Sequence, residues 1–242
     1  MRVGVFSRAT TASRFLLFRR QMSYDVEPTF FDKTTFQTPD NPFTLLNDWL
    51  VDAKSRKLYN YNAMCLATVD DDGLPNARMV LCKGVNPDNG TVVFYTNENS
   101  VKGQEIKNNP KVAGVFYWNT LGRSIRIRGH VTHATAEESD AYWGSRPITS
   151  RVSSALSNQS APLEENFEQF VSKFVAECDV AEQRGDIERP PHWHGYRIWC
   201  SSIELWKEGD ARVHQRIQWK RDVKLVEDKA EVGTWSVRFL QP

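Results

Sequence analysis

The sequence predicts a mainly β protein in which an antiparallel barrel is flanked by helices. Five runs of strand length, rich in β-branched and aromatic residues, follow one another between residues 63 and 134. Short turn sequences such as Asp-Asp-Asp-Gly at residues 70–73 divide them, which favours antiparallel pairing over parallel crossovers. With 242 residues, 40% of them hydrophobic, the chain is long enough for one barrel domain with a sizeable core.

An amphipathic helix is predicted to open this domain, because Leu45, Leu46, Trp49 and Leu50 are spaced for one helical face. The pattern then changes to that of strands. The segments predicted after this helix are strands at 63–69, 78–85 and 91–97, a short helix near 103–108, strands at 111–118 and 124–134, helices at 136–144 and 164–184, and strands at 195–206, 211–221 and 234–240.

The charge is unevenly distributed along the chain, whose formal net charge is +1. Residues 1–24 hold five arginines and no acidic residue, so the remainder carries a net charge of −4. A body of that sign has no global attraction for nucleic acid, and we expect no such partner. The apolar run at residues 15–18 is far shorter than the ~20 residues of a membrane-spanning helix, and no later segment is longer, so no membrane partner is expected.

The basic leader at residues 1–24 has the composition of a mitochondrial transit peptide. A disordered basic tail is the alternative, and a start at Met22 would give a cytoplasmic form. Residues 25–41 form an N-terminal extension in this interpretation, and residues 42–242 form the barrel domain. The four cysteines show no CxxC spacing, which favours reduced thiols in an intracellular compartment.

Two clusters of residues favour phosphate binding. Arg78, Lys83 and Lys102 lie near predicted turn ends, and guanidinium and ammonium groups are the donors that a phosphate takes up. The segment at residues 142–150 ends a helix with phenol, guanidinium and hydroxyl groups close together. A solvated basic strand face and an ordinary helix end are the respective alternatives.

A third cluster follows Trp206. Strict alternation along a strand would place Arg212, His214 and Arg216 on one face. An imidazole between two guanidiniums is disfavoured as a cation, so His214 is expected to be neutral near pH 7 and able to accept or relay a proton. The alternative is a histidine with a purely structural role.

The spacing of residues along the chain argues against a metal site and against the common catalytic and nucleotide-binding motifs. Each of the pairs His130/His133 and His192/His194 lacks a third ligand nearby in sequence, so no metal site is expected. P-loop, GxSxG, HExxH and GxGxxG patterns are absent from the sequence. What remains is a barrel that binds one or two phosphorylated small molecules.

Six motifs occur together in one order along the chain. They are NAMCLATVDDDGLPNARMVLCKG at 62–84, FYTN at 94–97, NNPKVAGVFYW at 108–118, YWGSRP at 142–147, SNQS at 157–160 and ELW…RVHQR at 204–216. With the C-terminal RFLQP, this set resembles the pyridoxine 5′-phosphate oxidase family over residues 42–242.

The resemblance implies an FMN-binding split β-barrel that forms a homodimer, with the flavin at the subunit interface. The positions matching its flavin contacts in one subunit are Arg78, Met79, Val80, Leu81, Cys82, Lys83, Tyr95, Thr96 and Lys102, completed by Gln159, Ser160, Trp206 and Arg216. The positions matching its substrate contacts are Lys83, Tyr142, Arg146 and Ser150 at the phosphate, and Arg212, Val213 and His214 at the pyridine ring. Arg212 and His214 would orient the ring and handle protons.

The resemblance also implies an activity, the FMN-dependent oxidation of pyridoxine or pyridoxamine 5′-phosphate to pyridoxal 5′-phosphate by O2, giving H2O2. Two alternatives remain open. A split-barrel FMN oxidase of another substrate, such as a phenazine precursor, would have no use for the phosphate cluster. A non-catalytic or weakly active binding paralogue is favoured by departures from the family pattern at Val101, Ser124 and Gln215, which replace an arginine, a glutamine and an aspartate.

Overall fold

The computed structural model describes residues 40–227 and 229–242. The predicted leader at residues 1–24 lies outside these residues, as does the predicted extension up to residue 39. The helices are α1 (Phe43–Ser55), α2 (Val101–Asn108), α3 (Ala136–Gly144), α4 (Ile148–Leu156) and α5 (Phe167–Arg184). No helix in this part of the chain has the length and apolar character needed to cross a membrane.

Eleven strands occur in the described residues. They are β1 (Ala63–Val69), β2 (Pro75–Leu81), β3 (Gly84–Asn86), β4 (Thr91–Asn97), β5 (Lys111–Trp118), β6 (Arg123–His133), β7 (Trp193–Lys207), β8 (Gln215–Lys220), β9 (Val223–Val226), β10 (Lys229–Val232) and β11 (Ser236–Leu240). Every pairing among them is antiparallel, and the predicted fold class is confirmed.

Six of these pairings join seven strands in one series from β2 to β3. Strand β1 pairs with β2 and β5, β5 with β6, β6 with β7, β7 with β4, and β4 with β3. The chain passes from β2 to β3 through Cys82 and Lys83, and the two backbone N–H groups there bond to different neighbours. That of Cys82 donates to Asn62 O beside β1 (2.9 Å), and that of Lys83 donates to Val93 O of β4 (2.8 Å). The connection through these two residues joins the two ends of the series and closes the barrel.

Strand β7 is 15 residues long and has two partners along one side. Its residues 193–199 pair with β4, and its residues 202–207 pair with β8. Strand β6 pairs along the other side, with a register shift between Arg128 and Gly129. Strands β8 and β11 therefore extend the sheet beyond the closed barrel.

The core follows from alternation in the strands and from the apolar stripe of α1. Successive β1 residues alternate between half-buried and buried, with Met64 and Leu66 fully enclosed. The predicted α1 face is buried and includes Trp49 at 1% exposure. Arg123, the first residue of β6, lies 5.2 Å from the Trp49 ring and forms a 2.7 Å ion pair with Asp52, which fastens α1 to the barrel.

Several predicted elements need correction. The strand predicted at 78–85 is two strands, because the chain changes partner at residues 82–83. The strand predicted at 211–221 begins only at Gln215, because Ala211 and Arg212 have positive φ angles of 52° and 65° in a 3₁₀ turn. Helix α4 and the β9–β10 hairpin were not predicted, and the helix predicted at 164–184 begins at Phe167, after the capping residue Asn166.

Gly129 offers a direct test of the register shift between β6 and β7. A Cβ atom at this position would lie 2.2 Å from Trp199 O, so the backbone must move to accept it. We expect Gly129→Ala to lower the free energy of unfolding by about 1–3 kcal/mol. At Gly144, the last residue of α3, a Cβ would meet nothing within 4 Å, so Gly144→Ala should leave stability unchanged or raise it by up to about 1 kcal/mol. Equal urea midpoints for the two variants would contradict the close approach.

Candidate active site

A cavity of about 280 Å³ lies where β2, β4, the start of β7 and helices α2–α4 meet. Its walls combine cations, aromatic rings and short polar side chains. They are Met79, Val80, Leu81, Lys83, Tyr95, Thr96, Asn97, Lys102, Tyr142, Arg146, Ser153, Ser154, Ser157, Gln159 and Trp193. Ten of the residues that the sequence assigns to flavin or substrate contacts are therefore brought together within one chain.

Lys102 forms one end of this cavity and is only 7% exposed. Its Nζ donates to Ser100 Oγ (2.8 Å), Gln159 Oε1 (2.9 Å) and Thr96 Oγ1 (3.1 Å), all neutral acceptors. The pKa of Lys102 is lowered to about 8, first by burial and then by the Arg78 charge, while the Glu105 carboxylate acts in the opposite direction. A buried ammonium with neutral partners is a site that an anion would stabilise.

Arg146 forms the second cationic point, just beyond the end of α3. Its guanidinium lies 5.3 Å from the Trp143 ring and 4.9 Å from the Trp193 ring. Nη2 donates to Ser150 O and to Ser154 Oγ, both at 2.9 Å, whereas the buried Nη1 has no hydrogen-bond partner among the described residues. Burial lowers the pKa of this guanidinium, although it stays charged. The unsatisfied donor marks a place for a ligand acceptor.

Stacked aromatic rings form a wall between these cations. The Tyr95 ring stacks on Tyr142 with centroids 4.1 Å apart and on Trp193 with centroids 5.3 Å apart. Lys83 Nζ lies 5.8 Å from the centre of the Tyr142 ring. Such a wall suits a planar ring that carries an anionic substituent.

Arg78 and Cys82 face away from this cavity. The Arg78 guanidinium donates to Glu105 (2.8 Å), to Leu66 O (3.2 Å) and to the Thr68 hydroxyl. Glu105, 7% exposed, holds it in place, and sequence reasoning missed this carboxylate. The Cys82 thiol points to Gly84 O (3.5 Å), and burial raises its pKa to about 12. Neither Arg78 nor Cys82 is among the residues that line this cavity.

A second group of predicted residues lies around the C-terminal strands. Trp206 and Arg216 line an open groove with Ser124. The Trp206 and His214 rings have centroids 4.7 Å apart, and His214 Nδ1 accepts a hydrogen bond from Gly209 N (3.3 Å). Arg212 lies in the adjacent 3₁₀ turn, so Arg212, His214 and Arg216 do not alternate on one strand as predicted.

The remaining predicted contact residues are Gln159, Ser160 and Ser150, and they lie in or beside the Lys102–Arg146 cavity. Gln159 joins the Lys102 cluster of its own chain, and Ser160, in a left-handed conformation (φ 76°), lines a neighbouring groove with Val101. Ser150 presents its carbonyl oxygen to Arg146, while the hydroxyl that contacts Arg146 belongs to Ser154. Serines 150, 154 and 157 recur at helical spacing, which was the available signal for Ser154.

Comparison with known proteins decides the family. Residues 52–184 match the model described as pyridoxamine 5′-phosphate oxidase, and residues 193–242 match that of the pyridoxine 5′-phosphate oxidase C-terminal dimerisation region. The chain belongs to the pyridoxamine 5′-phosphate oxidase family. The family resemblance is thereby confirmed, and the matched family is one of oxidases.

Two relatives are similar to this chain over most of their own length. The pyridoxine/pyridoxamine 5′-phosphate oxidase of Sinorhizobium fredii is 46% identical over 78% of this chain and 89% of that protein. The protein of the same name from Agrobacterium fabrum is 45% identical over 86% of this chain and 95% of that protein.

Two solved structures have similar folds. PhzG from Burkholderia lata 383, in complex with tetrahydrophenazine-1-carboxylic acid, is 28% identical with a TM-score of 0.76, covering 91% of this chain and all of that one. A pyridoxamine 5′-phosphate oxidase-related, FMN-binding protein from Nostoc punctiforme is 16% identical with a TM-score of 0.63, covering 86% of this chain and all of that one.

The lowered pKa of Lys102 predicts how anion binding depends on pH. Above about pH 8 the ammonium loses its proton when no anion is bound, so binding must recover a proton and weakens as pH rises. A phosphate monoester keeps its charge over this range, since its second pKa is about 6. We expect FMN affinity, measured by fluorescence quenching, to fall by up to about tenfold per pH unit between pH 8 and 9.5.

Two lysine variants of α2 serve as the comparison. Lys102→Met should bind FMN weakly, with little dependence on pH, because the titrating group is gone. Lys107→Met, at an exposed position on the same helix, should behave as the wild type does. Constant wild-type affinity from pH 7 to 9.5 would contradict a role for the Lys102 charge.

Proposed function

We propose that this protein is an FMN-dependent oxidase that converts pyridoxine 5′-phosphate or pyridoxamine 5′-phosphate to pyridoxal 5′-phosphate, with O2 as acceptor and H2O2 as product. The observation that carries this proposal is a pair of cations, the buried Lys102 and the half-buried Arg146, in one cavity with an aromatic wall. In the described residues, both cations donate to hydroxyl, amide or carbonyl oxygens and not to a carboxylate. Two phosphate groups and a planar ring fit this arrangement.

The residues around Lys102 fit an FMN phosphate. The ammonium of Lys102 and the Thr96 hydroxyl are a donor set for a phosphate, and Gln159 can turn its amide NH2 toward one. Residues 79–81 and Lys83 would line the flavin along β2. FMN, when bound, supplies the two-electron acceptor that no side chain of the protein provides.

At the other end of the cavity, Arg146 and Lys83 would hold the substrate phosphate. Arg146 offers its unsatisfied Nη1, and Tyr142 offers a ring face and a phenol. Fixing the phosphate at a point remote from the reacting carbon orients the pyridine ring and excludes water from its face.

The C-terminal group supplies the reacting end in this proposal. His214 Nδ1 accepts from Gly209 N, so in the neutral ring Nε2 carries the proton and can donate it to a ligand. Because His214 and Arg212 lie outside the Lys102–Arg146 cavity of their own chain, a second copy would bring them to it. Val213, Met79 and Tyr117 are 65%, 62% and 60% exposed, which suits burial in a homodimer. The matched dimerisation region supports the same assembly.

A second candidate is oxidation of a phenazine precursor, favoured by the fold shared with PhzG at 28% identity. Both candidates would use FMN, so the choice between them rests on the substrate end of the cavity, where Lys83 and Arg146 provide two cations. A phosphate dianion matches two cations better than the single charge of a phenazine carboxylate does. The cellular location of the protein stays a prediction, because the leader at residues 1–24 lies outside the described residues. Similarity to bacterial proteins does not support mitochondrial targeting.

The proposal predicts the stoichiometry of an aerobic assay. The yellow, FMN-loaded protein should turn pyridoxamine 5′-phosphate, water and O2 into equal amounts of pyridoxal 5′-phosphate, ammonia and H2O2. Unphosphorylated pyridoxine should show a kcat/KM lower by about 100-fold or more, since each charged hydrogen bond to phosphate is worth about 1.5–3 kcal/mol.

Two results would contradict this function. One is a protein that stays colourless after incubation with FMN. The other is faster oxidation of a tetrahydrophenazine carboxylate than of either vitamin B6 phosphate, which would favour the second candidate.

A further inference from the structure

The hydrogen bonds that the Arg146 guanidinium donates to the described residues both come from Nη2. Both hydrogens of Nη2 are used, one by Ser150 O and one by Ser154 Oγ, each at 2.9 Å. The guanidinium is planar, so fixing Nη2 also fixes the direction of the Nη1 hydrogens. Nη1 is buried and has no hydrogen-bond partner in the described part of the chain.

Ser154 is itself oriented before any ligand arrives. Its hydroxyl donates to Ser150 O, one helical turn earlier, at 3.0 Å. With its hydrogen committed there, the oxygen can only accept from Arg146. Ser150 O, Ser154 Oγ and Arg146 Nη2 thus form a closed triangle of hydrogen bonds, which we call the serine clamp.

The hydroxyl of Ser154 is not needed to pack α4. This helix is anchored through Val152, 1% exposed, which packs in a small cluster with Cys178 and Ala181 of α5. Ser154 is half-buried and lines the cavity instead. Loss of its hydroxyl should therefore leave the fold intact and free one Nη2 hydrogen of Arg146.

We propose that Ser154 is a positioning residue that sets the specificity of this site for phosphorylated substrates by holding Nη1 of Arg146 toward the phosphate. The inference rests on the proposed function, because it takes Arg146 as the anchor of the substrate phosphate. Without the serine clamp the guanidinium can rotate. Binding of the phosphate must then also offset the conformational entropy that the Arg146 side chain loses when it is ordered.

The test is equilibrium binding to the FMN-loaded protein. 4-Deoxypyridoxine 5′-phosphate is a suitable probe because it has no C4′ hydroxyl to oxidise, and unphosphorylated 4-deoxypyridoxine is its partner probe. Ser154→Ala should weaken binding of the phosphorylated probe by ~3- to 10-fold, a fraction of a lost charged hydrogen bond, and leave the other probe unchanged. Ser154→Thr should restore tight binding, since a threonine hydroxyl can also bond the carbonyl one turn earlier.

Ser172→Ala is the matched control. The Ser172 hydroxyl makes the same bond to a carbonyl one turn earlier, Glu168 O at 2.9 Å, but on the exposed surface of α5. It should bind both probes as the wild type does, which removes a general effect of serine loss in a helix.

The outcomes separate the two proposals. A wild-type protein that binds both probes equally would overturn the proposed function. A wild type that prefers the phosphorylated probe, with Ser154→Ala keeping the full preference, would overturn the serine clamp alone. Equal weakening of both probes by Ser154→Ala would also overturn it, because the effect would then be one on the whole pocket.

Discussion

The length of β7 is the constraint on which the candidate site depends. Its first half pairs with β4, which carries Tyr95 and Thr96 into the cavity, and its second half pairs with β8, which begins with Gln215 and Arg216. A strand of 15 residues spans about 50 Å, so these two pairings hold their residues at opposite ends of one strand. One rigid element thus fixes the cation-lined cavity and the C-terminal histidine group relative to each other.

Electrostatics gives the cavity its chemistry. The nearby carboxylate of Glu105 already has partners in Arg78 and Asn76. Lys102 and Arg146 are left with neutral acceptors in the described structure, and burial disfavours the charged form of both. A bound anion would offset the cost of enclosing these two charges, so the cavity favours anionic ligands.

Sequence reasoning predicted the parts of the structure that local pattern controls. The bounds of β1 and β5 follow from alternating burial between clear turns, and those of the almost fully buried β4 follow from its β-branched and aromatic residues. The prediction of a strand through Arg212 was wrong, because the alternation of polar residues carries no information about the left-handed φ angles of Ala211 and Arg212. The residue types for phosphate binding were visible in the sequence, whereas their division into two groups depends on the long-range pairings of β7. The contacts of Ser154 and Glu105 depend on tertiary packing and could not be predicted.

The central claim is that Arg146 of one protomer and His214 of the other serve the same site, and mixed dimers test it most directly. Arg146→Ala and His214→Ala homodimers should each be nearly inactive. Mixing them reversibly in equal amounts makes about half the dimers mixed, and each mixed dimer has one site with both native residues, so about a quarter of wild-type activity should return. If the mixture stays as inactive as its parents, the two residues do not meet across a subunit interface.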